Sequence, residues 1–246
     1  MQLIVLSAGR GSRLPKKFRQ KPKCLVEIDS KPLLFYNNKF FSYFKKKIIV
    51  TGYKQALLKK KSKEIGFTQI HNKNYSSTNM VHSLFLTKKF IKEDVVIVYG
   101  DVIFSDKVYE LLKTKKNILP VNVAWFNNWK GRMSINNIFQ DAENLVIKND
   151  DLIEIGTKIN KKKIPKFQFM GIIKLKRNSY FKCHDFFKKI NDKKIDMTSF
   201  LNLCINNKVV NLKIRKYNKY WYEIDTISDH KFAQSEIKKL SFSKVV

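Results

Sequence analysis

The stretch QLIVLSAGRGSRL at residues 2–14 decides how this chain is read. Leu3–Leu6 form a continuous apolar run that breaks into a Gly-containing turn, the pattern of a buried strand delivering a loop. The whole chain has eight glycines, and two of them, Gly9 and Gly11, fall directly after that strand. Glycine tolerates positive φ and lets backbone N–H groups come close to a phosphate. Arg13 adds a guanidinium fork suited to phosphate oxygens, and Lys23, in the stretch Pro22-Lys23-Cys24-Leu25, adds a second cation. No Gly-Lys-Ser/Thr follows, so this is not a Walker loop. Taken alone, Gly-x-Gly reads equally well as a plain strand-to-helix turn with solvated lysines around it.

Working outward, Pro32 opens PLLFYNNKFFSYFKK, whose apolar residues recur at spacings of three and four and predict an amphipathic helix. KIIVTGY (47–53) predicts a strand, followed by a Lys-rich helix to about Ile65 and a short strand at 68–72. Ser76, Ser77 and Thr78 offer caps for a helix from about Asn79 to Phe90. DVVIVYGD (94–101) is a buried strand ending in Gly100-Asp101. This β-α-β-α-β-α-β order implies an α/β three-layer fold with a mixed, mainly parallel central sheet, in which ligands sit at the carboxyl ends of strands. The second half is more mixed. Strands are expected at 120–126, 144–148, 152–155, 168–176, 208–214 and 220–224, and helices near 179–190, 197–206 and 227–239. KINKKKIPK (158–166) reads as a charged loop and the last six residues as a frayed end. No internal repeat or linker divides the chain, so residues 1–240 are taken as one domain. Two halves, 1–105 and 106–240, are distinguished within it.

The 246 residues carry 50 Lys+Arg against 20 Asp+Glu, a net charge of +30. Only six of those cations are Arg. Readers of nucleic acid favour Arg forks, so the excess of Lys fits the bias of an AT-rich genome better than a specific nucleic-acid surface. No run approaches the ~20 apolar residues of a membrane span. The N-terminal apolar run lacks a basic region before it and does not read as a secretory signal. Three widely spaced cysteines (24, 183, 204) and four scattered histidines make neither a disulfide framework nor a zinc site. A cytoplasmic location is the expectation.

Ala8-Gly9-x-Gly11-Ser12-Arg13-Leu14, followed by Pro22-Lys23-x-Leu25, resembles the signature of the sugar-phosphate nucleotidyltransferase superfamily, with Ser7 where Ala is usual. Further elements resemble one branch, the small cytidylyltransferases acting on phosphocholine and on related phosphates and phosphonates. These are Asn79-Met80-x-x-Ser83-Leu84, Tyr99-Gly100-Asp101, Glu154-Ile155-Gly156, Met197-Thr198-Ser199-Phe200 and Trp221-Tyr222-Glu223-Ile224-Asp225-Thr226. The likeness runs over about residues 1–232 and implies a Rossmann-like nucleotidyltransferase fold.

The resemblance implies an enzyme that moves CMP from CTP onto a small phosphate- or phosphonate-bearing acceptor. Arg13 and Lys23 would hold the triphosphate, with Leu6, Ser7, Ala8, Gly9, Gly11, Ser12, Asn79 and Gly100 around the nucleotide. Asp101 and Asp225 would hold Mg²⁺, which prefers one or two carboxylates completed by water and substrate oxygens. Glu154, Lys158, Trp221 and Glu223 would face the acceptor. Other readings stand beside these: Asp101 as a turn residue before a helix, Asn79 as a cap, and Glu223 as a solvated side chain. For Glu154 and Lys158 the plain alternative is a hairpin edge with salt-bridged ends. Glu223 and Asp225 alternate on one strand and so point the same way. A trimethylammonium acceptor would want an aromatic box, for which Trp125, Trp129, Trp221 and Tyr222 are candidates, with Tyr36 and Tyr53; large aromatics also serve as core. A sugar-1-phosphate nucleotidyltransferase is the alternative within the class. A nucleic-acid-binding protein and a catalytically inactive relative are the alternatives outside it. A homodimer stays open.

Overall fold

The computed structural model describes residues 1–159 and 164–242. The charged loop expected at 158–166 and the frayed end expected at 241–246 therefore fall in good part outside the described residues. A ten-stranded sheet forms the middle layer. From one edge the strands run Thr68–His71, Lys47–Thr51, Gln2–Ser7, Val95–Tyr99, Ile172–Leu175, Ile118–Asn122, Lys213–Tyr217, Asp151–Lys158 and Glu143–Lys148, with Gln168–Phe169 pairing on Ile118–Asn122. The first four are parallel neighbours. Ile172–Leu175 runs antiparallel to both strands beside it, and Lys213–Tyr217 pairs in parallel with Ile118–Asn122. The sheet is thus mixed and mainly parallel, as the sequence predicts.

Gln2–Ser7 is buried along its whole length, which explains its unbroken apolar run. The chain leaves it toward Lys47–Thr51 on one side and returns on the other as Val95–Tyr99. That reversal opens a crevice at the carboxyl ends of these two strands. Leu6 pairs with Tyr99 there, so the loop at residues 8–15 and the turn at Gly100-Asp101 leave the sheet side by side. One apolar layer packs Ile4, Leu6, Val81, Leu84 and Phe85 against the helices Arg177–Ile190 and Met197–Asn206. A second packs Leu3, Val5, Phe40, Phe41, Phe104, Trp125 and Trp129 on the other face.

Several elements depart from the sequence reading for local reasons. The helix expected from Pro32 is broken into Leu33–Tyr36 and Asn38–Ser42. Asn37, at the break, is buried and bonds the strand Val102–Phe104: its Nδ2 donates to Val102 O at 2.8 Å, and its Oδ1 accepts from Phe104 N at 3.2 Å. The strand expected at 120–126 ends at Asn122, whose Oδ1 accepts from Ala124 N and turns the chain into the helix Trp125–Lys130. A further helix, Ile135–Asp141, was not foreseen. The single strand expected at 168–176 is split at Gly171, which has φ +70° and no room for a Cβ against Tyr99. The strand expected at 208–214 lies at Lys213–Tyr217. Among the described residues no helix is long and apolar enough to cross a membrane.

Candidate active site

The loop after the first strand is shaped by close approaches that only glycine allows. Gly11 has φ +67° and lies against the stem of Lys23. Gly100 donates to Leu6 O at 2.9 Å, and a Cβ there would meet Ser7 Oγ at 1.9 Å. Leu6, Ala8, Gly9, Asn79 and Asp101 line a cavity of about 140 Å³ together with Tyr75, Ser83 and Tyr99. Ser7, Gly11, Ser12 and Gly100 are not among its lining residues; Ser7 is buried and Ser12 is exposed on the loop. The Asn79 side chain is engaged at both ends: Oδ1 accepts from Met80 N at 2.7 Å, capping the helix, and Nδ2 donates to Lys194 O at 3.1 Å. The capping reading of Asn79 is therefore realised.

Lys23 sits on a short 3-10 turn set by Pro22, and its ammonium joins the two carboxylates singled out from sequence. It donates to Asp101 Oδ2 at 2.6 Å and to Asp225 Oδ1. Asp225 Oδ2 also pairs with Arg13 at 2.8 Å, and Arg13 reaches Asp141 at 3.4 Å. Residues 13, 23, 101 and 225 thus meet at one point. Burial works to lower the Lys23 pKa, but the charges of Asp101 and Asp225 override it and hold the ammonium well above its ordinary value. For Asp225 burial acts upward and is outweighed by Lys23 and Arg13, leaving its carboxyl below the usual range.

Among the described residues Asp101 Oδ1 is buried without a hydrogen-bond partner, and the donor set here is all oxygen, which suits a hard divalent cation. Among the described residues no group of three or more His, Cys, Asp or Glu gathers around a candidate ion. The protein would therefore offer the two carboxylates and leave the remaining positions to substrate oxygens and water.

A second cavity, of about 210 Å³, continues from the first past Met80 and Tyr99. One wall is aromatic: Tyr99, Phe169, and Trp129 stacked on Trp221 at 6.3 Å. The other is acidic: Asp141, Glu143, Asp196, Glu223 and Asp225, with Arg13 the cation. Trp221 and Glu223 both line this cavity. Glu154 and Lys158 line neither cavity: the ladder slips between Leu152 and Glu154 and again between Ile155 and Thr157, and Glu154 Oε1 accepts from Thr157 Oγ1 at 2.6 Å. Glu143, on the neighbouring strand, takes the acidic position instead. Trp125 donates to Pro165 O and is core, and Tyr36, Tyr53 and Tyr222 also lie outside this cavity.

The acidic wall has two tempers. Burial pushes the Glu143 carboxyl above its ordinary value despite a 2.7 Å bond from Thr198 Oγ1. Burial would do the same to Asp196, but the Ser199 backbone N–H, the Ser199 hydroxyl and Thr198 hold it below. Glu223 is raised well above the carboxylate range by burial and by the charges of Asp225 and Asp101.

Behind Asp225 lies a pair that sequence reasoning missed. Asp229 Oδ2 accepts from the backbone N–H of Asp225 at 3.0 Å and of Thr226 at 2.7 Å, while Oδ1 accepts from Arg132 at 2.5 Å. The Arg132 guanidinium lies over the Trp129 ring at 4.5 Å and stands 3.8 Å from Glu223. One buried ion pair therefore fixes both the Asp225 turn and the Trp129 wall. The rarity of Arg in this chain, with only six, was the available signal for Arg132.

No protein-family model matches the chain. It is 30% identical over 249 residues to the CTP:phosphoglutamine cytidylyltransferase of Campylobacter jejuni, covering 93% of this chain and 97% of that protein. The inositol-1-phosphate CTP transferase from T. maritima superposes with a TM-score of 0.75 at 18% identity, over 96% of each chain. The CTP:phosphocholine cytidylyltransferase from Streptococcus pneumoniae does so at 0.71 and 17%, over 96% of this chain and 98% of that one. These likenesses, with the sheet described above, make the chain a nucleotidyltransferase. The chain belongs to the sugar-phosphate nucleotidyltransferase superfamily, in its branch of small cytidylyltransferases.

Proposed function

We propose that this enzyme transfers CMP from CTP to a small acceptor that carries a phosphate or phosphonate at one end and a cationic nitrogen at the other. The observation that carries the reading is the meeting of Arg13, Lys23, Asp101 and Asp225 between the two cavities. An acceptor oxygen attacks the α-phosphorus in line, the bond from that phosphorus to the bridging oxygen breaks, and pyrophosphate leaves. All partners are anions, so the residues must collect positive charge and hold the reacting atoms in line. Arg13 and Lys23 supply that charge to the triphosphate, in a loop whose backbone is kept close by Gly11. Mg²⁺ on Asp101 and Asp225 would supply charge neutralisation at the phosphate oxygens. Residues 1–105 serve the nucleotide in this reading, and 106–240 serve the acceptor and complete the metal site.

A net charge of +30 makes an acidic cavity costly to explain by composition. Five acidic side chains in a cavity with two stacked indoles suit a cation on the acceptor. The similarity to a cytidylyltransferase over 93% of the chain supports CTP as donor. A cytoplasmic site of action and a CMP-linked product used as an activated head group for surface decoration go with this reading. The test is pyrophosphate release with CTP, UTP, GTP and ATP, each against phosphocholine, phosphoethanolamine, aminoethylphosphonate, glutamine phosphate and sugar-1-phosphates. Magnesium-dependent release with CTP and a non-sugar acceptor, lost in Asp101→Ala, is expected. Release with a sugar-1-phosphate alone would overturn the acceptor assignment.

A further inference from the structure

One residue that lines the acceptor cavity carries a polar atom without a partner. Gln168 is 5% exposed and lines the cavity, and its Oε1 is buried with no hydrogen-bond partner among the described residues. Its strand, Gln168–Phe169, is pinned to Ile118–Asn122 and touches the strand that carries Glu143. The residue that carries the orphaned oxygen is therefore a near neighbour of the Glu143 strand, which also lines the cavity. A buried carbonyl oxygen left without a donor is unfavourable, and a ligand that supplies an N–H removes that cost.

We propose that Gln168 determines acceptor specificity by accepting an N–H from a primary ammonium group, so that the enzyme selects such acceptors over quaternary ammonium ones. This rests on the acceptor site proposed above. The aromatic wall and the carboxylates attract any cation and so do not separate the two classes. Hydrogen bonding does. A primary ammonium brings three N–H donors, whereas a trimethylated nitrogen brings none and would close Gln168 Oε1 against methyl groups. Sites that hydrogen-bond a substrate reject analogues lacking the donor strongly, because the protein's own group is then left unpaired. For one bond to a charged donor the expected discrimination is on the order of 10- to 100-fold.

Phosphoethanolamine and phosphocholine form the matched pair, since they differ only in three N-methyl groups. With CTP and Mg²⁺, kcat/KM is expected to favour phosphoethanolamine by at least about tenfold. Gln168→Met removes the acceptor at similar volume and is expected to bring the ratio to within about threefold of unity, chiefly through KM. Gln168→Glu keeps an oxygen in place and is expected to retain the preference. A wild-type preference for phosphocholine, or a ratio that Gln168→Met leaves untouched, would overturn the proposal. The same ratio is read by calorimetric binding of the two acceptors to the enzyme loaded with CTP and Mg²⁺. If no pyrophosphate is released, the transferase reading fails on its own. Unequal acceptor binding lost in Gln168→Met would still uphold the role of Gln168, and equal binding would refute it.

Discussion

The Arg132–Asp229 pair offers a direct test of how Asp225 is held. Both side chains are almost fully buried, at 4% and 1% exposure, and they meet at 2.5 Å. Removing one member of a buried pair leaves the other charge without compensation and costs about 3–5 kcal/mol. For a chain of this size each kcal/mol moves the melting temperature by about 2–4 °C, so Arg132→Met alone should lower it by roughly 6 °C or more. In Asp229→Asn the amide oxygen can still accept from Asp225 N and Thr226 N, but its NH₂ then confronts Arg132 donor to donor. The double variant Arg132→Met/Asp229→Asn removes that conflict while keeping the backbone bonds. It should therefore be more stable than the sum of the singles by about 2 kcal/mol, within the range measured for coupled neighbours. Urea and thermal unfolding of the four proteins close the cycle. Additivity within about 0.5 kcal/mol, as for independent sites, would refute the view that the pair acts as a unit.

Lys23→Ala should leave Asp101 and Asp225 facing one another, lowering metal-free stability by about 3 kcal/mol or more, and added Mg²⁺ should raise its melting temperature more than that of the wild type; an equal metal response in both proteins would contradict the shared geometry. Glu143 is raised above its ordinary 4.5 by burial, so the folded state holds more protons there than the unfolded chain, and stability conferred at this position falls as pH rises from about 4.5 through the folded value. Urea midpoints should accordingly drift in favour of Glu143→Gln, relative to wild type, across that window; a constant difference would argue against it. Gly100→Ala places a methyl group against Ser7 Oγ and Leu6 O, so pyrophosphate release should fall by an order of magnitude or more. Adding Ser7→Ala should recover part of the loss, because the Ser7 contact is the closer one.

The loop and the two carboxylates were legible because each lies next to its strand in sequence. The loop at 8–14 follows its strand without interruption, Asp101 follows the buried strand Val95–Tyr99, and Asp225 follows a short aromatic one. The second cavity was less so, because its wall is assembled from places far apart in sequence. Glu143 opens an edge strand, Asp196 caps a helix, and Gln168 sits on a two-residue strand, none of them within a recognisable motif. Glu154 and Lys158 illustrate the difficulty. Their placement followed from resemblance alone, and two slips in register are invisible in the order of residues. The helix at Trp125–Lys130 was hidden for a different reason. A short apolar run fits strand and helix alike, and the Asn122 side chain, which bonds Ala124 N, settles the matter.

The reversed strand Ile172–Leu175 has a meaning for how such enzymes diversify. It is hydrogen-bonded between the parallel half of the sheet and the strands beyond, like a seam joining two panels. The first cavity draws its lining from residues 6–101, on one panel. The second takes all but Arg13, Met80 and Tyr99 from residues 129–225, mostly on the other. In the function proposed, edge strands, caps and bulges on the second panel can be retailored, and a new acceptor admitted, while the loop at 8–14 and its cations keep their places.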